Sequence, residues 1–199
     1  MVTTKGLAAK ERIIRVAAEL FYRNGYHAVG LNQVLDIANA PKGSFYYYFR
    51  SKEELARETI HYFAGLVLGR LREELLSPDL TSGTNAIRNF VESVANDVQD
   101  DANVGPCPLS SVGLQVGTLT AELADLLKQY LDRFCDDLRV FFEYAEIRGE
   151  LLVPGISGLL AEEFLYIYEG SLIISSVQRS TLPFRDAFDV FLATHFKPD

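Results

Sequence analysis

Lys42-Gly43-Ser44-Phe45-Tyr46-Tyr47-Tyr48-Phe49, running directly into Arg50-Ser51-Lys52-Glu53-Glu54-Leu55, is the stretch that decides how this chain folds. Three consecutive tyrosines stand between two phenylalanines, with Lys42, Arg50 and Lys52 around them. A buried tyrosine needs a polar partner for its hydroxyl, so three in a row cannot all enter a core. Successive residues of a helix point about 100° apart, so the run sends aromatic groups both inward and outward. An exposed aromatic ridge set among cations suits a flat, anionic, grooved surface, and DNA answers that description.

Outward from this stretch the pattern is helical. Upstream, Ala8 to Asn24 carries Ile13, Ile14, Ala17, Leu20 and Phe21 on one face, and Gly25 follows where a left-handed cap residue is expected. A second helix over Leu31 to Ala38 buries Leu31, Val34, Leu35 and Ala38. Asn39-Ala40-Pro41 ends it: Asn39 tolerates a left-handed turn, while Pro41 disfavours helix at Ala40 and suits the start of the next one. Lys42 to Phe49 is then a third helix, and Ser51-Lys52-Glu53-Glu54 has the form of a capping box opening a fourth. Two short helices joined by a tight turn make a helix-turn-helix.

The same residues carry a family resemblance. Pro41 to Phe49, then Ser51-Lys52-Glu53-Glu54-Leu55, resembles the DNA-binding signature of TetR-type transcriptional regulators. The likeness extends through Phe21, Gly25, Val34 and Ala38, roughly residues 8–60. The chain departs from the pattern where members often have Thr (here Gly30-Leu31-Asn32), Gly (Asn39) and His (Tyr48). The resemblance implies an all-α fold with an N-terminal DNA-binding domain over residues 1–52, its helix-turn-helix at about 31–50, and a ligand-binding and dimerisation domain over residues 53–199. It makes the third helix a recognition helix in the major groove. Lys42, Gly43, Ser44, Tyr46 and Tyr47 are then assigned to the DNA face, with Phe45 and Phe49 packed inward. Tyr48 and Lys52 are expected at phosphates, with Asn32 and Gln33 as further backbone contacts. Ser44 could bond a base edge and a tyrosine ring could pack on a thymine methyl.

Net charge divides along the chain. Residues 1–60 hold nine Lys/Arg and six Asp/Glu, whereas the remainder holds ten and twenty-one. A basic third joined to an acidic remainder argues for two tasks, the acidic part being repelled by phosphates. The chain opens with no apolar run of the signal-peptide kind, and its apolar stretches are interrupted before the ~18 residues a membrane span needs. Two cysteines, Cys107 and Cys135, form no disulfide framework. A cytoplasmic protein without a membrane partner is expected.

Beyond Leu55 the chain reads as further helices: Leu55 to Ser77, Ile87 to about Gln99, Leu109 to Gly117, Thr120 to Arg148, Ser157 to Arg179 and Phe184 to Phe196, about nine in all. Breaks fall at Ser77-Pro78-Asp79 and over residues 100–108. In the last two helices, Gly170 and Ile174, with Phe184, Phe188 and Phe191, resemble the four-helix dimer interface of TetR-type proteins. Small residues there permit close helix approach. A homodimer would present two recognition helices to a palindromic double-stranded operator. The resemblance also implies a pocket for a small apolar or aromatic ligand whose binding releases a repressor from DNA. Its candidate lining is Phe90, Cys107, Leu109, Tyr130, Phe134, Phe141, Tyr166 and Tyr168, although an aromatic stripe at helical spacing also serves as ordinary core.

Cys107, between Pro106 and Pro108 and beside a helix start, offers a second trigger: an electrophile- or redox-responsive thiol on the same scaffold. It could equally be an inert buried cysteine. No Gly-rich phosphate loop, nucleophile elbow or His-Glu-x-x-His is present, and His27, His61 and His195 are too scattered for a metal site. Neither cofactor, metal nor catalytic residue is expected. The alternative of another class is an all-α interaction module or enzyme whose tyrosine helix binds protein.

Overall fold

The computed structural model describes residues 4–78, 80, 82–100, 106–118 and 120–198, with the side chains of residues 4–7 and 98–100 outside that description. Among the described residues the chain forms nine helices: α1 (Thr4–Asn24), α2 (Leu31–Ile37), α3 (Lys42–Tyr48), α4 (Lys52–Leu75), α5 (Gly83–Asp100), α6 (Pro108–Val116), α7 (Ala121–Ile147), α8 (Ser157–Gln178) and α9 (Leu182–His195). The expected all-α fold is observed, and no described helix is long and apolar enough to cross a membrane. One extended contact was not foreseen: Leu151 and Phe196 form an isolated antiparallel bridge. Contacts divide the chain into two units, Met1–Leu66 with Pro108–Lys128, and Val67–Cys107 with Gln129–Asp199.

In the first unit, Ile13, Ala17 and Phe21 lie one turn apart on α1 and are fully buried. Gly25 ends the helix at φ +85°, its N–H donating to the Phe21 carbonyl at 3.0 Å. The helix-turn-helix follows with its turn residue in the expected left-handed conformation, Asn39 at φ 46°. There the Asn39 and Ala40 N–H groups donate to Asp36 and Leu35 carbonyls at 3.1 and 2.9 Å, so the carbonyl ends of α2 are satisfied. Arg12 of α1 adds a 2.6 Å bond from Nε to the Ala38 carbonyl, tying the turn to the first helix. Ser51 caps α4: its Oγ accepts the Glu54 N–H at 3.2 Å. The Glu54 carboxylate reaches back one residue further than a capping box requires, to the Arg50 N–H at 2.6 Å.

The second unit is built around phenylalanine. Phe164 of α8 is fully buried and meets Phe188 and Phe191 of α9 at ring-centroid separations of 4.8 and 5.8 Å. Phe90 of α5 lies at 5.9 Å and Phe142 of α7 at 6.1 Å from the same ring. Tilted and edge-on aromatic pairs of this kind add to the burial of their area. Helix bounds differ from the sequence expectation by a few residues, a helix starting ahead of its first apolar residue or stopping short of its expected end. Thus α5 begins at Gly83, four residues ahead of Ile87, and α4 ends at Leu75, before Ser77 and Pro78. Asp79 and residues 101–105 of the predicted breaks lie outside the described residues.

Because four rings converge on Phe164, Phe164→Ala leaves a cavity that neighbouring helices cannot close. It should lower stability by about 3–5 kcal/mol, whereas truncating the exposed Val153 to Ala should change it by less than about 0.5 kcal/mol. Urea unfolding followed by circular dichroism measures both.

Candidate nucleic-acid interface

The third helix is only seven residues long, and its two faces are sharply different. Phe45 and Phe49 are buried with their rings 5.3 Å apart, anchoring α3 to the core of the first unit. Tyr46 and Tyr47 stand 60% and 69% exposed, and Lys42 and Gly43 beside them are exposed as well. Ser44 and Tyr48 are half-buried, Tyr48 packing edge-on against Tyr47 at 5.0 Å and lying 6.2 Å from Phe49. Asn32 and Gln33, at the start of α2, are also exposed. The helix therefore presents Lys42, Gly43, Tyr46 and Tyr47 on one outward edge, as helical spacing from two buried phenylalanines requires.

Lys52 is engaged within its own unit. Its ammonium donates to the Tyr26 carbonyl at 2.5 Å and stands 4.2 Å from the Tyr26 ring centroid and 5.6 Å from that of Phe21. Burial pushes its pKa below the ordinary lysine value, and burial also raises that of Tyr26, with the Glu53 charge adding to the rise. A cation held by a carbonyl and two aromatic faces braces the loop after α1. Nothing in the sequence marked Tyr26 as its partner beyond Gly25-Tyr26 closing the first helix.

The other two sets of candidates are partly regrouped. Phe90, Phe134 and Tyr168 do come together in the second unit, Tyr168 lying 5.9 Å from Phe90 and 5.5 Å from Phe134. The Tyr168 hydroxyl has its pKa pushed well above the usual tyrosine range, first by burial and then by the neighbouring Cys107. A side-chain hydrogen bond with Cys107 adds to this. Cys107 and Phe141 are likewise buried, and Tyr130 is half-buried. Leu109 is buried but belongs to the first unit. Tyr166 is corrected: at 67% exposure it lies on the outer face of α8 and lines no interior.

Phe184, Phe188 and Phe191 are also corrected. Each is essentially fully buried in the core of its own unit, so these rings cannot supply a surface for a second subunit. The apolar residues left outward on α8 are Leu159, Tyr166, Ile173, Ile174 and Val177. The clue in the sequence was that α8 is apolar on both faces, one closing the core and one facing out.

The engaged position of Lys52 makes a prediction. Lys52→Met keeps the stem but removes the ammonium, and should lower stability by about 1 kcal/mol in urea unfolding. The slope of log Kd against log salt for duplex DNA should stay unchanged, whereas loss of a phosphate contact would reduce it by about one.

Comparison with known proteins agrees with this geometry. The family model described as bacterial regulatory proteins, tetR family, matches residues 13–59. The uncharacterized HTH-type transcriptional regulator YxaF of Bacillus subtilis (strain 168) is 30% identical over 181 residues, covering 89% of this chain and 84% of YxaF. Among solved structures, a regulatory protein TetR from Rhodobacter sphaeroides superposes with a TM-score of 0.85 at 24% identity, over 94% of this chain and 98% of that one. The reduced form of E. coli NemR superposes with a TM-score of 0.86 at 21% identity, over 96% and 98%. With a helix-turn-helix in the matched region and a relative spanning nearly the whole chain, this protein belongs to the TetR family of DNA-binding transcriptional regulators.

Proposed function

We propose that the chain is a homodimeric repressor that binds a palindromic operator through α3 and leaves it when a small apolar or aromatic ligand is bound. The observation that carries the DNA assignment is Gly43. A Cβ built there would meet nothing within 4 Å, and its backbone is ordinary helix, so nothing inside the protein requires glycine. Glycine in a helix costs up to about 1 kcal/mol against alanine. An external surface pressed against the helix start accounts for it, because a missing side chain lets the backbone N–H groups approach a phosphate. On this reading Lys42, Ser44, Tyr46 and Tyr47 face the groove, Tyr48 flanks it, and Asn32 and Gln33 touch the backbone from α2.

Dimerisation is supported by the outward row on α8. Leu159, Tyr166, Ile173 and Val177, with Ile174 beside them, recur at seven- and four-residue spacing, about one or two helical turns, along one side of that helix, and Gly170 interrupts them with a small residue. Leu182 and Val190 add exposed apolar surface on α9. Such a row suits self-complementary packing about a two-fold axis. Two protomers so related would offer two α3 helices to half-sites about 34–36 Å apart.

The ligand reading rests on the second unit. Phe90, Phe134, Phe141 and Tyr130 with Tyr168 supply an apolar, aromatic environment with one buried hydroxyl, which suits a ligand of few polar groups. The alternative trigger, Cys107, is 1% exposed and pairs with Tyr168. A thiol shut from solvent is poorly placed to meet an oxidant, so the ligand reading is preferred. NemR is named a transcriptional repressor, which agrees with the sign of regulation proposed.

Selection of duplexes from a random pool tests the core of this reading: the recovered sequences should be two-fold symmetric, with half-sites one helical turn apart. Gly43→Ala should leave the protein as stable as before or slightly more so, yet weaken binding to the selected operator about tenfold or more. Unchanged affinity would remove Gly43 from the interface. Val177→Arg should convert the dimer to a monomer by light scattering with helix content retained. A dimer that survived it would place the subunit contact elsewhere.

A further inference from the structure

The backbone of one residue in the first unit is held on both sides by side chains from two other helices. Tyr26 follows Gly25 in the loop after α1; its N–H donates to Gln115 Oε1 of α6 at 2.8 Å, and its carbonyl accepts from Lys52 Nζ of α4 at 2.5 Å. The Gln115 amide is oriented by its own helix, Nε2 donating to the Ser111 carbonyl at 3.2 Å. Gly25 makes the approach possible. A Cβ there would stand 3.1 Å from Gln115 Oε1, and φ +85° already disfavours any side chain. On its far side α6 is seated against α7: a Cβ on Gly113 would lie 2.4 Å from Leu127 Cδ2, and one on Gly117 3.7 Å from the Ala124 Cα. Every residue named here belongs to the same unit.

Tyr26 lies at a junction of the chain. Chain enters the helix-turn-helix through the loop containing Tyr26 and leaves it at Lys52, the first residue of α4. The Lys52–Tyr26 bond therefore joins the entrance of the motif to its exit, and Gln115 pins that joint to a helix outside the motif. We propose that Gln115 is a positioning residue for DNA binding, fixing through Tyr26 and Lys52 the angle at which α2 and α3 are presented. The inference rests on the DNA-facing role of α3 proposed above. A group that orders a loop before binding spares that ordering cost when the ligand arrives, so its removal weakens binding without removing any contact to DNA.

Gln115→Met keeps length and apolar bulk but offers no oxygen, while Gln115→Glu retains an acceptor for the Tyr26 N–H. Three readouts on the full chain separate the possibilities: hydrogen exchange of the Tyr26 amide in the free protein, Tm, and Kd for the duplex selected by the unmodified protein at several salt concentrations. Gln115→Met should expose the Tyr26 amide to exchange and raise Kd about fivefold or more. The salt slope should be unchanged and Tm lower by no more than about 2–4 °C. Gln115→Glu should stay near the unmodified protein in both exchange and Kd. A purely structural residue would lower Tm without altering the Kd of the folded fraction, and that result overturns the proposal. So would an exposed Tyr26 amide with unchanged Kd, or equal behaviour of the Met and Glu variants. Failure of the α3 reading is recognised separately, by Gly43→Ala and Tyr47→Ala leaving Kd untouched while Gln115→Met still raises it.

Discussion

A helix of seven residues does not hold itself together in water, because too few hydrogen bonds offset the cost of starting it. The third helix exists because Phe45 and Phe49 are buried against the first unit, and that anchorage decides everything on its outer edge. Once two side chains four residues apart point inward, Tyr46 and Tyr47 must point outward, whatever their hydroxyls would prefer. The chain keeps two large aromatic groups in solvent at the cost of their burial energy, an arrangement that suits a surface with a partner. The supporting elements serve the same end. Asn39 turns the chain in the left-handed region, Arg12 ties the turn to α1, and Ser51 and Glu54 settle the amides at the start of α4.

Much of this was legible in the sequence because it is local. The glycine after α1, the asparagine in the turn, the proline before α3 and the serine before α4 act on backbone within a few residues of themselves, and each does in the structure what its chemistry forecasts. The division of the tyrosine run is also local, since helical geometry alone sorts inward from outward. Family resemblance added what periodicity could not, namely the expectation that the outward edge addresses DNA.

What was not legible depends on residues far apart in the chain. Lys52 reads as one more cation behind a basic helix, and only folding brings it to the Tyr26 carbonyl, twenty-six positions upstream. Phe184, Phe188 and Phe191 form an apolar face by spacing, but spacing cannot say whether that face meets its own protomer or another. Burial says it meets its own. Tyr166 illustrates the converse, an aromatic residue on a helix apolar all round, whose direction is set by which of two faces the core claims first. Gln115 gave no signal at all, being a polar residue on a short helix with an ordinary neighbourhood.

The bare apolar row along α8 has a consequence for the protein as a population of molecules. Val177 is 80% exposed and Leu159 66%, surfaces that a lone protomer presents to every other chain in its surroundings. If the pair is the form that grips an operator, occupancy at low abundance grows with the square of protomer number rather than in proportion to it. A regulator built this way responds sharply to its own dosage: halving the gene's output removes more than half of its hold on DNA, before any ligand arrives.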